Sequence, residues 1–134
     1  MKPQTKAVIE AALASIKADK TPRAGEVWWV SLNPTKGHEQ AGYRPVVVVS
    51  PDSFNEVTGR FFAVPCTTKE APAGTHRRNL QVQVADMPEP SFAMPDQTRV
   101  LDWRERKAEF RGHRATAAEL DAIRERLKVL QGIS

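Results

Sequence analysis

The chain has 134 residues and a mass of 14.9 kDa, which is the size of one domain able to bury roughly two-thirds of its unfolded surface. Its composition, 40% hydrophobic and 27% charged with 10 prolines and 7 glycines, excludes disordered and collagen-like classes. One cysteine, Cys66, excludes a disulfide framework and a multi-thiolate zinc site, and a net charge of +4 permits an anionic partner.

Hydropathy gives no sign of a membrane segment. The longest apolar runs, residues 46–49 and 61–64, fall far short of the ~20 residues that span a bilayer. Lys6, Glu10 and Lys17 interrupt the N-terminal apolar pattern, so it does not resemble a secretory signal. We therefore expect a cytoplasmic protein with no membrane partner.

The first predicted elements are a helix and a strand. Thr5 can cap a helix over residues 6–18, in which apolar side chains recur at helical spacing. Residues 19–25 break it, and residues 26–32 are typical of a strand rich in aromatic and β-branched side chains. Apolar residues on both faces of this strand predict cover on both sides, from the core and from a helix or second subunit.

The middle of the chain predicts two further strands around a short helix. Residues 33–44 form a polar connection of a length at which loops are often functional. A strand follows over residues 46–50, then a helical turn opened by Pro51 and closed by Gly59, then a strand over residues 60–65. We expect residues 69–78 to form a loop.

The last third predicts two short strands and a helix. Residues 79–84 alternate as a half-exposed strand does, residues 87–90 are irregular, and residues 98–103 form another strand. Thr116 and Glu119 match a capping box ahead of a leucine-rich stripe that ends near Gly132. Short strands followed by a helix indicate an α+β fold with a curved antiparallel sheet.

Three segments carry polar side chains suited to chemistry. One segment joins His38, Glu39 and Arg44, another is Thr67-Thr68 after the third strand, and the last is Asp96-Gln97 before the next strand. Taken alone, each is more readily explained by a solvated loop or a turn. The three histidines stand apart and no metal-binding spacing is present, so we expect no metal and no other cofactor.

Three sequence blocks resemble the MazF/PemK (Kid) family of toxins. They are GEVWWVSLNPTKGHEQAGYRPVVVVSP at residues 25–51, VPCTT at 64–68 and PDQTRVLDWRER at 95–106. Their order is highly specific to that family. The resemblance covers the chain from about residue 23, and we divide the chain into an N-terminal helical extension, residues 1–22, and a toxin domain, residues 23–134.

The resemblance implies an SH3-like small barrel that acts as the toxin of a bacterial toxin–antitoxin pair. The implied activity is a metal-independent, sequence-selective endoribonuclease that cleaves single-stranded mRNA and stops translation and growth. The implied partners are a second copy in a homodimer and a small acidic MazE/PemI-like antitoxin. The resemblance also implies possible heterohexameric complexes of toxin and antitoxin, and DNA binding through the antitoxin.

Cleaving RNA without a metal requires a base at the 2′-OH, an acid at the 5′-oxygen and a cation for the phosphorane oxygens. By resemblance, Arg44 supplies the cation and Thr67 hydrogen-bonds the scissile phosphate. His38 matches the histidine of the PemK/Kid branch, Glu39 the loop glutamate, and Asp96 the proposed base of Kid-type enzymes.

One departure from the Kid pattern shifts the emphasis. Met94 stands where Kid-like enzymes have an arginine two residues before the aspartate. We therefore place most weight on Arg44 with Thr67, and less on Asp96 and His38. Single-stranded RNA is read by stacking and by contacts to phosphates and base edges. The residues we expect to bind RNA are Lys36, Tyr43, Thr68, Gln97, Arg77 and Arg78.

Two alternatives stay open at this point. A CcdB-like gyrase poison has the same barrel without ribonuclease activity, and it needs no set such as His38, Arg44 and Thr67. The second alternative is a degenerate family member that only binds RNA or antitoxin. Met94 is the sequence feature that favours this alternative.

Overall fold

A strand in the middle of the chain, paired along both edges, organises an antiparallel sheet. The computed structural model describes residues 20–32 and 43–132. Its strands are β1 (Glu26–Ser31), β2 (Tyr43–Val48), β3 (Arg60–Thr67), β4 (Val82–Val84), β5 (Ser91–Ala93), β6 (Arg99–Asp102) and β7 (Glu109–Arg114). Its α-helices are α1 (Asp52–Thr58), α2 (His76–Leu80) and α3 (Ala117–Leu130), and a 3₁₀ turn spans Pro95–Gln97.

The sheet runs in the order β4-β5-β3-β2-β1-β7, and β6 also pairs with β3. One edge of β3 pairs with β2, while its other edge is divided between two strands. Residues 60–63 pair with β6, and Cys66 and Thr67 pair with β5. This division curls the sheet, so that its two faces enclose separate cores.

Strand β1 contributes to both cores, as its sequence predicted. Val27 and Trp29 pack on the face that α3 covers through the fully buried Ile123. Trp28 and Val30 pack on the opposite face with Trp103 and its neighbours. Both covers come from the same chain, so β1 needs no second subunit to bury its apolar side chains.

Helix α1 ends, and helix α3 begins, where the sequence signals predicted. Gly59 closes α1 in the left-handed region at φ 68°, where glycine carries no Cβ penalty. The hydroxyl of Thr116 accepts from the Glu119 amide, and the Glu119 carboxylate accepts from the Thr116 amide. The other oxygen of Glu119 accepts from the amide of Ala85 at 3.0 Å, which ties α3 to the chain after β4.

The segment between β3 and β4 differs from its prediction. Helix α2 occupies residues expected to belong to a loop and a strand, because Thr75 caps it by accepting from the Arg78 amide at 3.2 Å. The buried side chain of Gln81 accepts from Ala71 N at 2.8 Å and donates to Lys69 O at 3.2 Å. The predicted strand is therefore reduced to Val82–Val84.

Strands β5 and β7 were not predicted, and the strand expected at residues 46–50 begins earlier, at Tyr43, and ends at Val48. The predicted helix at residues 6–18 lies outside the described residues. Within the described ranges, the helices are all too short or too polar to cross a bilayer. The structure thus confirms a curled antiparallel sheet with a C-terminal helix.

Candidate active site

A cleft of about 410 Å³ opens where β2 begins and β3 ends. The two strands are antiparallel neighbours, so the start of one lies beside the end of the other. Tyr43 and Arg44 line the cleft from β2, and Thr67 and Thr68 line it from the end of β3. Two blocks that lie more than 20 residues apart in sequence therefore contribute to one site.

Arg44 is fixed to the cleft through its own strand. Its backbone pairs with Val30 of β1, and the next residue, Pro45, pairs with Trp29. The Arg44 side chain is partly buried, whereas Tyr43 beside it is 45% exposed. A guanidinium in this position provides several donors in a fixed fork, which suits a phosphate.

Thr67 brings a hydroxyl whose surroundings leave its proton available. Its backbone pairs with Phe92 of β5, and its oxygen accepts a hydrogen bond from the Lys69 amide at 3.2 Å. Because this bond uses a lone pair, the hydroxyl can still donate its proton to an anionic oxygen in the cleft. Thr68 is exposed at the mouth.

Cys66 also lines the cleft but cannot serve as a nucleophile. It is 3% exposed, and burial raises the pKa of its thiol from 9.0 to about 12. A thiol attacks only as the thiolate, so this group stays protonated and unreactive near neutral pH.

Asp96 and Gln97 do not join Arg44 and Thr67 within the chain. The amide of Met94 donates to Pro65 O at 2.8 Å, and the 3₁₀ turn then carries the chain toward the pairing of β6 with the first half of β3. Asp96 lines a separate cavity of about 420 Å³ with Phe62 and residues near the end of α3. Gln97 is exposed on the same turn.

Arg77 and Arg78 lie on α2, away from the lining of the cleft. The Arg78 guanidinium donates to Ala71 O at 3.1 Å and pairs with Glu70 at 3.1 Å, so it holds its own segment together. Arg77 is exposed. Lys36, His38 and Glu39, the remaining predicted residues, fall in the range 33–42 that the structure does not describe.

Three charged or aromatic residues of the cleft escaped the sequence analysis: Trp29, Glu89 and Arg111. Trp29 belongs to the strand predicted at residues 26–32, for which only burial of the apolar side chains was expected. Arg111 belongs to β7, whose sequence EFRGHR has one apolar residue and so shows no strand periodicity. The sequence feature that could have pointed to Arg111 is the cluster of arginines after Trp103. The described lining residues include two positively charged side chains, Arg44 and Arg111, and one negatively charged side chain, Glu89. This excess of positive charge favours binding of an anion.

In the described ranges, His, Cys, Asp and Glu form no group of three or more that could hold a metal ion. The cationic, hydroxyl-bearing cleft of the curled sheet fits a protein that binds an anionic ligand such as a phosphate group. A family model described as the PemK-like, MazF-like toxin of type II toxin–antitoxin systems matches residues 23–130. The chain belongs to this family.

Relatives with assigned activities support the same class. The chain is 38% identical over 111 residues to the endoribonuclease toxin MazF of Escherichia coli K12, covering 83% of this chain and 95% of that protein. It is 39% identical over 82 residues to the Escherichia coli endoribonuclease PemK, covering 61% and 62%. The chain is accordingly an endoribonuclease toxin of a toxin–antitoxin system.

Solved structures share the architecture. MazF from Deinococcus radiodurans superposes with a TM-score of 0.69 at 36% identity, covering 84% of this chain and 98% of that one. A MazE–MazF complex from the same organism gives a TM-score of 0.70 at 32% identity, covering 85% and 99%.

Proposed function

We propose that the chain cleaves single-stranded mRNA without a metal ion, by attack of the 2′-OH on the adjacent phosphorus. The products are a 2′,3′-cyclic phosphate and a 5′-OH. The observation that carries this proposal is the meeting of Arg44 and Thr67 in one cationic cleft. These groups are the kinds needed to bind a phosphate and to stabilise the charge that develops on it.

Each residue has a distinct role in this proposal. The Arg44 guanidinium stabilises the phosphorane oxygens, and the Thr67 hydroxyl donates to the scissile phosphate. His38, Glu39 and Asp96 remain the groups proposed for proton transfer. Since the chain places Asp96 outside the cleft, its participation requires another route to the substrate, such as a second subunit. Tyr43 and Thr68 are exposed residues of the cleft lining, and in this proposal they contact the RNA.

The test is cleavage of a long RNA in the presence and absence of EDTA, with analysis of the new ends. We expect cleavage to persist with chelator and to leave 5′-OH ends that polynucleotide kinase can label directly. Activity that disappears with EDTA and returns with Mg²⁺ contradicts the mechanism. A protein that arrests growth without cutting any RNA favours the gyrase-poison alternative.

The proposed partners are a second copy of the chain and an acidic antitoxin. The existence of a MazE–MazF complex from Deinococcus radiodurans supports the antitoxin partner. Val100, Val129 and Leu130 are large apolar residues that are 49%, 72% and 46% exposed. Burial of such side chains favours association. A homodimer should appear in sedimentation at micromolar concentration, and a monomer there contradicts this part of the proposal.

Three finer assignments complete the proposal. The curled sheet corresponds to an SH3-like barrel, supported by its division around β3. The apolar spacing of residues 6–18 in the sequence supports the proposal of an N-terminal helical extension, residues 1–22. The site of action is the cytoplasm, where mRNA is translated.

A further inference from the structure

Arg111 is a second guanidinium in the cleft, on a different strand from Arg44. It reaches the cleft from β7, the edge strand that pairs with β1. Its guanidinium lies 4.8 Å from the ring centroid of Trp29, another residue of the cleft lining. The position of Arg111 on β7 accounts for this placement. Trp29 pairs with Glu109, and side chains two residues apart in a strand lie on the same face, so Arg111 lies on the Trp29 face of the sheet.

A bulge in β7 begins at Arg111. Trp28 pairs with Phe110 and Glu26 pairs with Arg114, so β7 has two more residues than β1 between these pairs. Gly112 lies inside the bulge with φ at +96°. A Cβ at Gly112 would meet nothing within 4 Å, so the backbone conformation, and not packing, favours glycine there. Bulges of this kind redirect side chains and are common next to active sites.

The contacts of Arg111 orient its guanidinium while leaving it able to bind a ligand. A guanidinium over an indole face is held by the cation–π attraction, which leaves its N–H groups at the rim free to donate in the plane. Its ion pair with Glu109, at 3.2 Å, joins side chains that are 43% and 53% exposed. Exposed pairs of this kind are weak, so a phosphate can replace the carboxylate.

We propose that Arg111 binds a phosphate of the RNA next to the scissile one, and so positions the strand across Arg44 and Thr67. The inference rests on the proposed ribonuclease function. The planar fork of a guanidinium matches phosphate oxygens. The expected role is substrate binding and not chemistry, because the scissile phosphate is assigned to Arg44 and Thr67 at the junction of β2 and β3.

Arg104 provides a matched control. Its guanidinium also lies 4.8 Å from an indole centroid, that of Trp103, but neither residue belongs to the described lining of the cleft. Arg111→Gln and Arg104→Gln thus each remove one positive charge and one cation–π contact. Arg111→Lys restores the charge without the planar fork, and thermal melting of all variants checks that they fold equally.

The decisive measurement is binding of a non-cleavable RNA, 2′-O-methylated at the mapped cut site, over a range of salt concentrations. We expect Arg111→Gln to weaken binding about tenfold, as the loss of one charge-assisted contact does. The slope of log K against log salt should fall by about 0.7, the value for one phosphate contact on a single strand. Arg104→Gln should match the wild type.

Cleavage kinetics give a second readout. Arg111→Gln should raise KM with kcat within about threefold of wild type, the pattern of a lost binding contact. Gly112→Ala should shift KM in the same direction, and Arg111→Lys should recover part of the affinity. Equal affinity and equal salt slopes for Arg111→Gln and wild type would overturn the proposal. A wild type that binds RNA but does not cleave it contradicts the ribonuclease function, while the binding comparison still decides the role of Arg111.

Discussion

Arg44 and Thr67 reach one cleft by different means, and this determines what each can do to a phosphate. Arg44 brings a permanent charge on a side chain whose backbone is held by β1. Thr67 brings a neutral hydroxyl whose oxygen is already engaged by the Lys69 amide. The first can stabilise a charge that develops during the reaction, and the second can orient the group that carries it.

Replacing Arg44 by alanine should therefore reduce cleavage by about 10²–10³-fold, the usual cost of losing a preorganised donor to a developing oxyanion. Thr67→Ala should fall in the same range or be slightly milder. RNA cleavage rates and relief of growth arrest are the measurements, with circular dichroism as the check on folding. Wild-type rates in a folded Arg44→Ala protein would refute the assignment.

Cys66 gives a prediction about pH that does not involve catalysis. Its pKa is raised to about 12 in the folded protein by burial, whereas the unfolded chain titrates near 9.0. Between these values the native state binds more protons, so the free energy of unfolding should fall as pH rises. Below pH 9 both states hold the proton and no such dependence arises.

The test compares urea unfolding of wild type and Cys66→Ala from pH 7 to pH 11. The variant should lose part of the decline above pH 9, whatever its stability at neutral pH. Native Cys66 should also resist a thiol reagent at pH 8 and react after unfolding. Equal slopes in the two proteins, or fast labelling of the native state, would contradict the buried thiol.

At the scale of elements, the sequence predicted those parts that are set by local signals. The capping box of α3, the glycine that ends α1 and the two-faced β1 are all confirmed. Local side chains or short-range periodicity determine them, so neighbouring residues suffice. The meeting of Arg44 with Thr67 was implied by family resemblance, and strand pairing provides its physical basis.

Elements that depend on distant partners were missed or misplaced. Strand β7 is defined by pairing with β1 across a bulge, and three-residue β5 by pairing with β3 and β4. Neither is long or periodic enough to show in the sequence. Strand β4 is shorter than expected because Gln81 satisfies backbone groups ten and twelve residues earlier in the chain.

The capping box of α3 should have a measurable energy. Thr116→Ala removes the acceptor for the Glu119 amide and should lower the free energy of unfolding by about 1 kcal/mol. Thr116→Ser keeps the acceptor and should restore most of the loss. Urea denaturation measures both. An alanine variant as stable as wild type would mean that the packing of Ile123 alone determines the helix.

At the scale of the whole molecule, charge links substrate and antitoxin. The chain carries 20 Lys and Arg against 16 Asp and Glu, and its cleft contains two guanidiniums. A segment rich in Asp and Glu can compete with RNA for such a surface. Inhibition of the toxin by the antitoxin and binding of RNA by the toxin should therefore both weaken as the salt concentration rises.

The acidic tail of the cognate antitoxin, added as a peptide, should inhibit cleavage and bind more weakly as salt rises, because charges are screened over ~8 Å at physiological ionic strength. Apolar anchors should make this weakening partial. A peptide with amides in place of its carboxylates is the control. Amide exchange over residues 33–44 reports whether that segment responds. A tail that binds while cleavage persists and exchange is unchanged would contradict competition for the cleft.

The pairing of Arg44 and Pro45 with β1 has a consequence for binding entropy. A residue that precedes proline is restricted to extended backbone, and Arg44 is extended in β2. In the unfolded chain this residue already samples fewer conformations than most. The loss of backbone conformational entropy on folding is therefore smaller at Arg44 than at most residues. When RNA binds, the backbone of Arg44 is already ordered. Any ordering that RNA binding still requires at Arg44 therefore concerns the side chain and not the backbone.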